Sequence, residues 1–283
     1  MRRDRSFAGR GEDGRLNGPV PFRLDGPVPF RGGGFIPRDR WSTGAVTLLT
    51  ILAFWQWGAS AGFISTLFLP SPVTIARTLW RLTVTGELWR HLSASLMRLL
   101  TGWIVGTVFG VATGLAAGLW SATRSPIAAV VAALFPIPKI ALVPLFIVWF
   151  GIGEGSKIAT LSLGVFFPTV IATMGGVDNV PRGLIRMGQS FGLSTWAIIR
   201  AIVLPGAAPA ILSGFRVTSS IAIVLLVAAE MIGAERGIGA FVLSAGNLYD
   251  TDALMAGIVV LSVLGLTVSG LIGAVERILF VYR

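Results

Sequence analysis

Apolar positions along this chain come in long unbroken blocks, not in the alternation of a half-buried strand. Six such stretches lie near 44–63, 93–119, 126–150, 157–177, 211–232 and 253–275, and the charged and turn-forming residues collect between them. About 20 apolar residues are needed to cross the hydrocarbon of a bilayer. The pattern therefore predicts an all-α integral membrane protein with six transmembrane helices. The last stretch is the cleanest, since Ala253 to Val275 carries no charge and twelve Leu, Ile or Val. Those twelve are worth about −4 to −7 kcal/mol of insertion. The segment 64–92 breaks the pattern. It begins Leu69-Pro-Ser-Pro72 and continues as an amphipathic helix through Trp80 and Trp89, expected to lie on the outer membrane face.

Composition narrows the picture. Apolar residues make up 54% of the 283 positions and charged residues 13%, with a mean hydropathy of +0.79. A soluble domain carries about 25% charged residues, so a soluble single core is excluded, and so is disorder over most of the length. Cysteine is absent and His91 is the single histidine, which leaves no thiolate chemistry and little room for a metal centre or a histidine-based triad. The net charge of +10 does not form one face, so it does not indicate a nucleic-acid partner.

The charge is informative as loop bias instead. With the N-terminus inside, the loop after the fourth span is cytoplasmic and carries Arg182, Arg186 and Arg200 against Asp178. The loop after the fifth span is outside and carries Glu235, Asp250 and Asp252 against Arg236. This bias predicts both termini in the cytoplasm. Residues 1–43 hold nine Arg, five acidic residues and a repeated Gly-Pro-Val-Pro-Phe-Arg at 18–23 and 26–31. They read as a cytoplasmic, disordered tail ahead of a transmembrane domain at 44–283.

Several features within the spans could carry function. Gly102, Gly106, Gly110, Gly114 and Gly118 recur every four residues and make a smooth face for close helix packing, on another helix of the chain or on a second subunit. The third span is interrupted by Pro136, Pro138 and Pro144 around Lys139. Broken backbone at membrane depth is tolerated where it is enclosed by protein or lines a cavity. Lys139 is then either a residue of a translocation path that attracts anions or a structurally paired lysine. Glu230 is either an interfacial carboxylate or a cavity-facing one. Gly151-Ile-Gly153-Glu-Gly155-Ser156-Lys157 does not satisfy the spacing of a phosphate loop and reads as an outer turn.

The most specific pattern lies at 186–205, within an inner loop at about 178–210. Gly192 is followed by nine residues, then Ile202, one residue, Leu204 and Pro205, with Trp196 inside the interval. This resembles the cytoplasmic loop of ABC importer permeases, whose pattern is Glu-Ala-Ala, three residues, Gly, nine residues, Ile, one residue, Leu-Pro. Arg186, Met187 and Gly188 stand where that family has Glu-Ala-Ala. Leu69-Pro-Ser-Pro72, Pro136-Ile-Pro-Lys139, Pro144 to Gly151 and Ala229-Glu-Met-Ile-Gly233 look like the nitrate, sulfonate, taurine and bicarbonate branch.

The resemblance implies a type I importer permease architecture in a bacterial inner membrane. It also implies a second permease subunit forming a homodimer, two ABC ATPase subunits that bind ATP and Mg, and an extracytoplasmic solute-binding protein. No cofactor is expected in this chain, and the permease is not expected to be an enzyme. The loop around Arg186, Gly188, Gly192, Trp196, Ile202, Leu204 and Pro205 would dock an ATPase. The cargo would be a small solute, an anion such as a sulfonate, taurine, nitrate or bicarbonate. The competing class, an ion-coupled secondary transporter or channel, would need intramembrane carboxylates, and Glu230 is the one candidate.

Overall fold

The computed structural model describes residues 41–279, and the tail and its repeat at 18–31 lie outside them. The described residues fall into two units, 41–51 and 52–279. The first holds the beginning of α1 (Trp41–Ser60), a helix of 20 residues. The second holds the rest of the architecture. Among the described residues every regular element is helical.

α2 (Pro72–Val84) starts where the sequence places a start. Ser71 Oγ accepts the Thr74 N–H at 3.2 Å, and Pro72 occupies the first turn, where its missing N–H costs nothing. Thirteen residues are too few to span a bilayer. Its buried Ile75 and Leu82 pack on Ala256 of α11 (Thr251–Leu279).

α3 (Glu87–Leu119) and α6 (Glu154–Asp178) form the spine. The glycine face of α3 lies along α6. Added Cβ atoms at Gly102, Gly106, Gly110, Gly114 and Gly118 would meet Leu161, Val165, Thr169, Thr173 and Val177 in turn. Both series advance by four, so the two helices run in the same direction in register. Ser162 Oγ donates across the seam to the Gly102 carbonyl at 3.1 Å. The contact is dispersion between close backbones, which is what holds helices together where lipid offers no hydrophobic drive.

α4 (Ser121–Leu134) and α5 (Val143–Phe150) are separated by Phe135–Pro138 and a single 3₁₀ turn at Lys139–Leu142, and the chain bends by 87° there. Pro136 and Pro138 cannot donate helical hydrogen bonds, which breaks the span at this point.

α7 (Arg182–Ser190) and α8 (Thr195–Ile198) make the loop region. α8 passes through a π turn at Ile199–Val203 into α9 (Leu204–Met231) without a break. Pro205 lies in the first turn of α9 and would clash with the carbonyl of Ala201 in a regular α-helix. The widened π turn containing Ala201 accommodates it. The fold closes with α10 (Ile238–Asn247) and α11.

Among the described residues four helices are long and apolar enough to cross a membrane: α3, α6, the α8–α9 unit Thr195–Met231 and α11. The bent α4–α5 pair makes a fifth if it crosses as one. Of the six expected spans, four or five thus meet this measure of length and apolarity. α1 mixes Thr43, Thr47, Thr50 and Gln56 into its apolar run and is not among the helices that meet this measure.

Candidate functional site

The two ends of the bundle carry different chemistry. At one end, α7 to α9 fold back on themselves around a small core of Val180, Ile198, Val203 and Ala207. Gly188 is buried because a Cβ there would press on Ile202 Cδ1 at 3.0 Å and Ile198 Cγ1 at 3.2 Å. A larger residue would lift α7 off that core. α7 ends in a hydrogen-bonded reversal: the Leu193 N–H reaches the Gly188 carbonyl at 3.1 Å and the Gly192 N–H reaches that of Gln189 at 2.9 Å. Gly192 closes it with φ +73°, a left-handed conformation that costs about 1–2 kcal/mol for a residue with a Cβ. Ser194 Oγ then caps α8 by accepting the Ala197 N–H at 3.3 Å.

The result is a preformed protrusion. Gly188, Ile202 and Leu204 face inward or are half-buried, while Arg186, Gly192 and Pro205 are exposed. Phe191 is 77% and Trp196 68% exposed, and Met187 stands beside them. Behind the protrusion, Arg124 of α4 grips Asp178 at the end of α6 through two hydrogen bonds of 2.7 Å.

At the opposite end lies Glu230. It is 1% exposed at the end of α9 and takes part in an ion-pair clamp. Arg98 of α3, 3% exposed, donates from Nη1 to Glu230 Oε1 at 2.7 Å and to the Arg236 carbonyl at 2.6 Å. Its Nε and Nη2 grip Glu154, the first residue of α6, at 2.5 and 2.7 Å. Ser95 Oγ and the Gly239 N–H both donate to Glu230 at 2.8 Å. Gly237, with φ +136°, passes so close to the carboxylate that a Cβ would overlap it. One guanidinium thus joins α3, α6, α9 and the α9–α10 turn.

Arg98 and Glu154 belong to the wall of a cavity of about 600 Å³, together with Lys157, Glu235 and Arg236. Lys157 is 4% exposed and donates to the Ile152 and Gly153 carbonyls at 2.8 and 3.0 Å.

Lys139 sits midway between the ends. Its ammonium donates to the Leu134 and Phe135 carbonyls at 3.2 and 2.5 Å, and lies 5.0 Å from the Phe167 ring centre. Both carbonyls lie at the end of α4, and that of Leu134 also accepts the Ile137 N–H at 3.2 Å. Phe167 lies near the middle of α6, so the break packs beside the middle of that helix. Pro136 and Pro138 are exposed there.

The structure therefore places the predicted residues in four groups: the glycine seam on α6, the protrusion, the break at Pro136–Lys139 and the clamp. Sequence reasoning missed Arg98, Glu154 and Ser95. The available signal was periodic: Ser95 and Arg98 extend the glycine face of Gly102 to Gly118 toward the N-terminus of α3. Among the described residues no cluster of three His, Asp or Glu could hold a metal ion. Glu230 is held by three donors, Arg98 Nη1, Ser95 Oγ and the Gly239 N–H, so it does not supply the free intramembrane carboxylate that ion coupling would need.

Comparison with known proteins agrees with this geometry. Residues 106–280 match the family described as binding-protein-dependent transport system inner membrane component. The chain is 40% identical to a putative aliphatic sulfonates transport permease protein of Escherichia coli (strain K12), covering 76% of this chain and 82% of that one. It is 37% identical to the taurine transport system permease protein of the same organism, covering 82% and 86%. It is also 37% identical to a riboflavin transport system permease protein of Chloroflexus aurantiacus, covering 83% and 87%. In fold it is similar to a chain of the inward-facing MetNI methionine ABC transporter, with a TM-score of 0.61 and 20% identity over 69% of this chain and 98% of that one. The chain belongs to the inner-membrane-component family of binding-protein-dependent transport systems and is a multi-pass permease subunit of an ABC importer.

Proposed function

We propose that this chain pairs with a second copy of itself to form the translocation path for a small organic anion, a sulfonate or taurine, driven by ATPase subunits docked on the Gly192 protrusion. One observation carries the reading. Thr195–Met231 is a single helical lever of 37 residues that starts inside the protrusion and ends at Glu230 in the clamp. A displacement applied to the protrusion is carried to the far end of the bundle by a packed rigid element. ATP and Mg bind the partner ATPases. Their closure pulls on Arg186–Pro205, and α9 rocks against the α3–α6 spine to open the far end to a solute-binding protein.

Charge sets the direction. The protrusion carries Arg182, Arg186 and Arg200 and belongs on the cytoplasmic side, with Glu154, Glu235, Asp250 and Asp252 outside. Both termini are then cytoplasmic if α1 makes the sixth crossing. The exposed irregular backbone at Pro136–Pro138 supports the paired arrangement. Unpaired peptide groups at mid-depth do not face lipid, so this stretch lines the path or abuts the second subunit. Lys139 contributes positive charge beside the path while it caps α4.

Relatives of nearly equal identity are named for sulfonates, taurine and riboflavin, so identity does not fix the cargo. The decisive test is a thermal-shift screen of the cognate solute-binding protein. Stabilisation by taurine or alkanesulfonates supports the reading. Stabilisation by riboflavin and not by any sulfonate overturns the choice of cargo.

A further inference from the structure

The exposed face of the protrusion combines two properties that together define what it docks into. Its apolar part is Met187, Phe191, Leu193 and Trp196, all exposed although each is large and hydrophobic. Its charged residues are all cationic. No Asp or Glu occurs between residues 179 and 229, a stretch that holds Arg182, Arg186, Arg200 and Arg216. Arg216 is turned away and paired with Glu276 of α11. Asp178, the nearest carboxylate in sequence, is held by both terminal nitrogens of Arg124 and lies next to Arg182. Arg186 and Arg200 are exposed and form no ion pair among the described residues.

The spacing puts charge beside each anchor. Arg186 adjoins Met187, and Met187 and Phe191 are one helical turn apart. Trp196 of α8 and Arg200 of the π turn that continues it are four residues apart, and both are exposed. An aromatic anchor ringed by uncompensated guanidinium groups is complementary to an apolar pocket with a carboxylate rim.

We infer that the ATPase subunit of this transporter receives the protrusion in an apolar socket rimmed by acidic side chains that face Arg186 and Arg200. This rests on the docking role proposed above and adds the chemistry of the partner surface. The same basic residues could attract anionic lipid headgroups, but lipid attraction requires charge alone. The protrusion has its own buried core, a closed reversal at Gly192 and a capped α8, which is the preorganisation that insertion into a protein socket uses.

Two consequences follow from rim charge. Docking weakens as salt rises, because exposed pairs are screened over about 8 Å at physiological ionic strength. Charge reversal acts mainly on the rate of association, whereas loss of the aromatic anchor acts at every salt concentration.

The experiment reconstitutes the full-length permease in phosphatidylcholine nanodiscs, with and without phosphatidylglycerol, and titrates the purified ATPase subunits of the same transporter. Wild type, R186E/R200E and W196A are compared at low and high salt. The expected result is an affinity loss of about ten-fold or more for R186E/R200E at low salt that narrows at high salt. W196A should lose affinity at both, and reversing an acidic rim residue of the ATPase should restore R186E/R200E. If R186E/R200E binds as wild type at low salt while W196A does not, the acidic rim is wrong and docking stands. If neither variant changes binding, the docking role itself fails. If the loss appears only in discs containing phosphatidylglycerol, the arginines serve the lipid surface and the inference is overturned.

Discussion

Replacing Glu230 tests whether the clamp holds the helix ends together. Glu230→Gln removes the charge that offsets Arg98 and keeps the volume. It turns an amide NH₂ toward Arg98 Nη1, Ser95 Oγ or the Gly239 N–H, all of which donate to the carboxylate at 2.7–2.8 Å. Breaking one side of a buried ion pair costs about 3–5 kcal/mol, and each orphaned buried donor adds about 1–3 kcal/mol. These contributions overlap, so about 3 kcal/mol is the expected minimum, roughly a hundred-fold in the folding equilibrium. Glu154→Gln is the internal comparison. The Glu154 side chain is 49% exposed, so water compensates its loss and the cost should stay near 1 kcal/mol. Arg98→Met combined with Glu230→Gln should cost less than the sum of the two single changes, because neither charge is then left buried alone. The assay is reversible unfolding of the isolated chain from detergent micelles, read by tryptophan fluorescence. Equal costs for Glu230→Gln and Glu154→Gln, or a Glu230→Gln cost below 1 kcal/mol, would refute the argument.

Other outcomes follow from local geometry. Gly106→Ala should lower stability by about 1–3 kcal/mol, since its Cβ would lie 2.5 Å from the Ser162 carbonyl oxygen and 2.9 Å from Val165 Cβ. Gly270→Ala on α11, with nothing within 4 Å, should be neutral or stabilising in the same unfolding assay, and equal losses would contradict the seam. Gly192→Ala should weaken ATPase association by straining the φ +73° turn, and Gly192→Asn should restore part of it in the same titration. Lys139→Met should cost about 1 kcal/mol by removing the donor to the Phe135 carbonyl at the end of α4, with Lys139→Arg recovering it. Slowed uptake with unchanged stability would instead place Lys139 in the path alone.

Much of this architecture was legible in the sequence because its causes are local. Ser71 and Pro72 start α2, Pro136 and Pro138 break the third stretch, and Gly192 with Leu204-Pro205 sets the shape of the loop. The glycine face was also visible, but its partner was not. Whether Gly102 to Gly118 met α6 or a second subunit depended on a match to Leu161–Val177, some 59 residues further on. Arg98 was hidden for a different reason. A hydropathy window averages one arginine into eighteen apolar neighbours, and its partners Glu154 and Glu230 lie 56 and 132 residues away. Glu230 itself was noticed, but a lone carboxylate near a span end gives no hint of the guanidinium that encloses it. α1, the first of the six expected spans, is the one whose apolar run is interrupted by Thr and Gln, and it does not meet the length-and-apolarity measure that the other spans meet.

The central claim is that solute movement through this chain is driven from the Gly192 protrusion by ATP. Its most direct test is uptake of labelled taurine, delivered by the solute-binding protein, into proteoliposomes containing the permease and its ATPase subunits. The account predicts uptake that requires ATP and a hydrolysis-competent ATPase, survives a proton or sodium ionophore, and is lost in W196A. Uptake that continues without ATP and collapses with the ionophore would contradict it.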